Sequence, residues 1–123
     1  MPEASEVNLP ASGSGVATAV APAHGSTPLL VAVHGWLLSG MLWEPLERQL
    51  QGRFELWRPD LPGFVAAERP RGLQPSLASY GRWLAEAVRR RAGARPVVLV
   101  GHSLGGSVAL HAAPLLAKQL RGV

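Results

Sequence analysis

The sequence predicts an α/β fold, a mostly parallel sheet with flanking helices. Three observations carry this. Two short apolar runs, Leu29-Leu30-Val31-Ala32-Val33 and Pro96-Val97-Val98-Leu99-Val100, read as strands buried on both faces. Segments with helical spacing of apolar residues lie between and after them. Short loops containing Gly and Pro join the segments, and such alternation gives right-handed βαβ units and a parallel sheet.

Taken in order, residues 1–27 are rich in Ala, Ser, Gly and Pro. They allow either a flexible leader or a weak β-hairpin in which 6–10 and 16–21 flank Ser12-Gly13-Ser14-Gly15. The hairpin is the favoured of the two. Residues 28–123 then form one regular unit. The run 29–33 ends at His34-Gly35. Residues 40–51 carry Leu42, Leu46 and Leu50 in an i, i+4, i+8 row, which predicts a helix. Residues 54–58 read as a second strand, stopped by Pro59-Asp60-Leu61-Pro62-Gly63. Ser76 stands where an N-cap belongs for a helix over 77–91, with Leu77, Tyr80, Leu84 and Val88 on one face. The third strand covers 96–100. A helix is expected over 104–120, kinked or broken at Pro114, and residues 121–123 lead into another strand. Ligands of such sheets sit at the carboxyl ends of the strands. His34 to Trp36, Asp60 to Phe64 and His102 to Leu104 all fall there.

Composition narrows the function. At 123 residues and 47% apolar, the chain suits one compact domain. It has no cysteine, which excludes disulfides, thiolate nucleophiles and Cys-based zinc sites. Its apolar runs fall far short of the roughly 18 residues that a membrane span needs. The first six residues carry two glutamates and no Lys or Arg, the reverse of a secretory n-region, so a cytoplasmic location is expected. The net charge of +4 comes from arginines scattered over helix ends and loops, densest at Arg89-Arg90-Arg91. That distribution is a solvated surface, and no nucleic-acid partner is expected. No spacing of His, Asp and Glu suggests a metal site, and no cofactor is implied.

Gly101-His102-Ser103-Leu104-Gly105 carries the chemistry. It fits G-x-S-x-G, the turn that thrusts a serine hydroxyl out of the end of a sheet. Ser103 must occupy a strained backbone conformation on a sharp strand-to-helix turn. The strand and helix then crowd the positions two before and two after it, so Gly101 and Gly105 need to lack side chains. The amide of Leu104 lies at the N-terminus of the new helix, where it can stabilise an oxyanion.

Three segments, V-A-V-H-G-W at 31–36, R-P-D-L-P-G-F at 58–64 and V-G-H-S-L-G-G at 100–106, together resemble the N-terminal half of the α/β-hydrolase family. Within it, H-G-W with S-L-G-G looks most like the carboxylesterase branch that includes pimeloyl-carrier-protein methyl ester esterases. The resemblance implies a serine hydrolase with Ser103 as nucleophile, backbone amides of Trp36 and Leu104 as the oxyanion hole, and a small-molecule ester or thioester as substrate. Dehalogenase and epoxide hydrolase branches place an aspartate at the nucleophile position instead. One departure is Val65, which stands where the family's D-x-P-G-x-G-x-S has its second glycine and points to a reshaped loop.

The family's triad runs Ser, then Asp or Glu, then His. After Ser103 this sequence has no Asp or Glu, and its one histidine there is His111. On a continuous helix His111 lies about 12 Å along the axis from Ser103, beyond the roughly 3 Å of a general base. His102 reads as packing or lining a pocket, His34 as shaping the loop after the first strand, and His24 as a loop residue. Asp60, at a strand end, could be read as a triad acid, but the resemblance implies that it structures the loop after the second strand. Trp43, Trp57 and Trp83 read as core or cleft aromatics. With no base or acid, no serine-dependent turnover is expected of the isolated chain. Three functional readings follow: a hydrolase whose base lies elsewhere, a non-catalytic binding protein of the same fold, or one part of a split enzyme completed by a C-terminal half. The strand at 96–100 is expected to form an exposed sheet edge, making the isolated chain poorly soluble.

Overall fold

A computed structural model describes residues 27–64 and 68–123. The leader-or-hairpin expectation over residues 1–26 and the departure at Val65 lie outside these residues. Four parallel strands form one sheet: β1 (Leu29–Val33), β2 (Leu56–Trp57), β3 (Val97–Gly101) and β4 (Leu120–Gly122), in the order β2-β1-β3-β4. β1 is wholly buried, as its unbroken apolar run requires. It pairs with β3 from Leu29↔Val97 through Val33↔Gly101.

The two-residue period of the strands divides the core in two. Leu29, Val31, Val33, Val97 and Leu99 point to one face, against α2 (Leu77–Ala92) and α3 (Leu104–Ala112). Leu30, Ala32 and Val98 point to the other, against Leu50 of α1 (Glu44–Leu50) and Leu56. Among the described residues no helix is long and apolar enough to cross a membrane.

Ser76 caps α2 as expected, its Oγ accepting from the Ser79 amide at 3.1 Å. Leu84 and Val88 are buried on the predicted face, while Leu77 at the first turn is exposed. Elsewhere the elements depart from the sequence pattern for identifiable reasons. Residues Gly40–Trp43 form a 3-10 turn rather than the start of α1. Pro45 has no amide to donate back to the Met41 carbonyl, so the α ladder cannot run through from the turn. Three residues per turn then rotate Leu42 off the Leu46–Leu50 line, and it is exposed.

β2 is shorter than its expected range. The Arg53 and Phe54 amides both donate to the Leu50 carbonyl, closing the end of α1, and Pro59 has no amide to offer on the far side. The expected helix over 104–120 is α-helical only to Ala112. A 3-10 turn, Ala113–Leu116, follows with Pro114 inside it, and the chain re-enters the sheet at Leu120. Pro114 cannot donate to the Leu110 carbonyl, and its ring disfavours continuation of the helix. Gln119 secures the return: its Nε2 donates to the carbonyls of Gly93 and Arg95, both at 2.8 Å, and the Val97 amide donates to its carbonyl.

β4 also corrects the expected bare edge. It pairs with Val97 and Val98, so the start of β3 is covered on that side.

Candidate active site

Three loops meet at the carboxyl end of the sheet. The first leaves β1 at His34, which is fully buried. Its Nδ1 donates to the Gly35 carbonyl at 2.9 Å, and its Nε2 accepts from the Leu61 amide at 2.9 Å. These contacts assign one tautomer, with the proton on Nδ1. Asp60 binds the same two loops from the other side, its Oδ1 accepting from the Gly40 amide at 2.7 Å. Both residues thus shape loops, as the sequence suggested. Phe64 then packs edge-on against His34, Trp36 and Tyr80, with ring centroids 5.8, 5.3 and 6.3 Å away. The Tyr80 hydroxyl donates to the Pro62 carbonyl at 2.6 Å, tying α2 to this cluster.

The third loop is the turn from β3 into α3. The His102 amide donates to the Val33 carbonyl at 3.0 Å, holding the turn against β1. Ser103 follows at φ 53°, ψ −116°, a region that costs a non-glycine residue of order 1–3 kcal/mol. The flanking glycines have no alternative. A Cβ on Gly101 would lie 2.5 Å from the backbone N and Cα of Gly106, and one on Gly105 would overlap the Val33 and His34 carbonyls. The spacing read from sequence therefore has its steric basis here, and the Ser103 side is left exposed.

Next to this turn, Trp36 and Leu37 stand exposed at the tip of the β1 loop. Leu37 has φ 55°, the other described non-glycine residue at positive φ. Among the described residues the amides of Trp36 and Leu104 donate to no protein acceptor. A cleft of about 450 Å³ opens beside them, walled by Trp36, Leu37, Phe64, Leu77, Tyr80 and Leu104. Leu104 brings the turn into the cleft wall directly after Ser103.

The histidines are not gathered around Ser103. His111 is exposed on α3, its Nδ1 2.9 Å from the Ser107 carbonyl, and Gly81 of α2 packs against its Cβ. The His102 ring lies over Gly35. His24 lies outside the described residues. Among the described residues no hydrogen bond joins an imidazole to Ser103.

Sequence reasoning missed Leu37, Leu77, Tyr80 and Arg69 as cleft residues. Tyr80 and Leu77 carry a helical-face signal that reads equally well as core. Leu37 carries none, because nothing in its neighbours announces a positive φ.

Residues 30–123 match the sequence model described as "Alpha/beta hydrolase family". The pimeloyl-[acyl-carrier protein] methyl ester esterase of Pseudoalteromonas atlantica is 34% identical over 99 residues, 78% of this chain and 36% of that protein. A thermophilic esterase from Thermogutta terrifontis superposes with a TM-score of 0.67 at 27% identity, covering 78% of this chain and 35% of the esterase. The epoxide hydrolase CorEH superposes with a TM-score of 0.68 at 30% identity, covering 78% and 33%. The chain thus spans about a third of the length of these relatives.

Proposed function

The chain belongs to the α/β-hydrolase family, and from that premise we propose that it carries the nucleophile of a serine hydrolase of carboxylic esters or thioesters. The observation that carries this is the backbone of Ser103, held at positive φ between two glycines beside two unengaged amides. Serine also separates the esterase reading from that of the epoxide hydrolase neighbour, since the family's epoxide-hydrolase branch resembles it with aspartate at this position.

In this mechanism the Ser103 hydroxyl attacks the acyl carbonyl, and the oxygen that becomes negative is received by the Trp36 and Leu104 amides. One such donor contributes about 10²–10³ in rate. The alcohol or thiol leaves, the acyl group remains on Ser103, and water then hydrolyses it. The proton from Ser103 needs a histidine base, oriented by a carboxylate, which passes it on to the leaving alcohol or thiol. His111 is turned to Ser107 and His102 to Gly35, so this reading draws base and acid from outside the described residues. A complementing C-terminal polypeptide would meet that need. The same observation favours a second reading, a non-catalytic protein that binds esters in the cleft without turning them over.

A fluorophosphonate tests both. A chimera joins this chain to the acid- and histidine-bearing remainder of an esterase relative. Ser103 of the chimera is expected to take up the label and Ser103→Ala to take up none. The 123-residue chain alone should react orders of magnitude more slowly. A label on another serine would sink the assignment of Ser103, and fast labelling of the chain alone would sink the external base. An inert chimera that still binds ester would leave the binding reading standing.

A further inference from the structure

We propose that the cleft selects an ester bearing an anionic group, a carboxylate or a phosphate, at the end of an apolar chain, and that Arg69 receives that group. This rests on the reading of Ser103 as the reactive end. The walls of the cleft are aliphatic and aromatic apart from the Ser76 and Tyr80 hydroxyls and Arg69, and no acidic residue lines it. The Tyr80 hydroxyl is already committed to the Pro62 carbonyl. Ser76 Oγ accepts from the Ser79 amide and keeps an uncharged hydroxyl proton. Arg69 is therefore the charged side chain available to a ligand there.

Its placement supports this. A Cβ built on Gly63 would lie 3.6 Å from Arg69 Cβ and 3.7 Å from Cδ, so the aliphatic stem faces the bare side of Gly63. Arg69 is exposed and lines the cleft, where a long side chain can keep its charged head in water. Most other arginines are occupied; among the described residues Arg53 and Arg71 are not, and Arg69 differs from them in lining the cleft. Arg48, Arg58, Arg90 and Arg95 pair with Glu44, Glu47, Glu86 and Glu55. Arg89 donates to the Leu115 carbonyl, and Arg91 sits 5.8 Å from the Trp57 ring centroid. Among the described residues Arg69 has no such partner.

A guanidinium keeps its charge at any working pH and offers a planar fork that matches a carboxylate or a phosphate. An apolar chain along Phe64, Leu77 and Tyr80 would deliver such a group to it, while a purely hydrocarbon ester would leave the charge unanswered.

The test is titration calorimetry on the full chain with three methyl esters of equal length. One ends in methyl, one in carboxylate and one in phosphate. The amide resonance of Leu104 reports whether each sits in the cleft. Both anionic esters should bind about threefold to tenfold more tightly than the neutral one at low salt, as an exposed charge pair allows, and the advantage should shrink at high salt. Arg69→Gln should erase the advantage and leave the neutral ester's affinity unchanged, while Arg69→Lys should retain part of it. The tighter of the two anionic esters identifies carboxylate or phosphate as the group recognised.

Equal affinity for all three esters, or an advantage that survives Arg69→Gln, would overturn the proposal and leave the ester reading intact. A neutral ester that fails to bind, while an anionic one binds through Arg69, would keep the anion site and retire the ester reading. Failure of every ester to shift Leu104 would end both.

Discussion

Leu37 and Ser103 hold positive φ within two loops of each other, and they differ in what the strain accomplishes. At Ser103 the conformation lifts the serine clear of the sheet. At Leu37 (φ 55°) it turns the chain directly after Trp36, whose amide is unengaged among the described residues. A left-handed Leu costs roughly 1–2 kcal/mol. Glycine would remove that cost but add about 0.5–1 kcal/mol of backbone entropy. Leu37→Gly is therefore expected to leave stability within about 1 kcal/mol of the parent. Leu37→Val, β-branched at a positive φ, should lower it by about 1 kcal/mol more than Gly does. Urea midpoints of the two variants decide this. Equal losses would mean that the Leu37 side-chain contacts, not its backbone, set the stability.

At this scale the site was legible only where chemistry and sterics share one motif. Gly101, Ser103 and Gly105 announce themselves because a close backbone approach admits nothing else. His34 and Asp60 were legible as loop-shaping residues, Asp60 through the family resemblance. Arg69 and Leu37 were not, since an arginine in a Pro-rich loop and a leucine after a tryptophan have no pattern that separates wall from surface.

Among the elements, those that follow one physical rule were readable and those decided by two competing rules were not. β1, β3 and α2 are single runs with one periodicity and, for α2, one cap. Ser76 gives that cap a measurable role. Ser76→Ala frees the Ser79 amide at a helix terminus that also lines the cleft. It should cost about 1 kcal/mol, read as a lowered urea midpoint with no change in its slope. An unchanged midpoint would show that solvent replaces the cap without loss.

Pro45 and Pro114 mark the other case. Apolar spacing ran through both positions and predicted a continuous helix at Pro45 and a kink or break at Pro114; each proline removed a backbone donor, and the adjacent turn has 3-10 geometry. The conversion at Pro114 is what turns the chain back early enough for Leu120 to reach Val97. Spacing alone cannot show this, because Leu115 and Leu116 look helical by periodicity, yet only Leu116 is buried.

For the molecule as a whole, the sheet's open side decides how the chain behaves in solution. β4 covers Val97 and Val98, but among the described residues Leu99 to Gly101 pair only with β1. Their outward backbone groups offer a template for another strand. The described surface also carries large apolar side chains: Leu110 on α3 is 63% exposed, and Trp36, Leu37 and Met41 on the β1 loop are 64%, 70% and 61% exposed. An open edge and exposed apolar side chains each favour association between chains. The 123-residue chain is therefore expected to self-associate reversibly, its average mass in sedimentation equilibrium rising above 13.0 kDa with concentration. Charge at the apolar surface should oppose this, so Leu110→Lys, a change at an exposed helix position, should lower the association without lowering thermal stability. A chain that stays monomeric at all concentrations and melts in one cooperative transition would show that the short pairing by β4 is enough to close the edge.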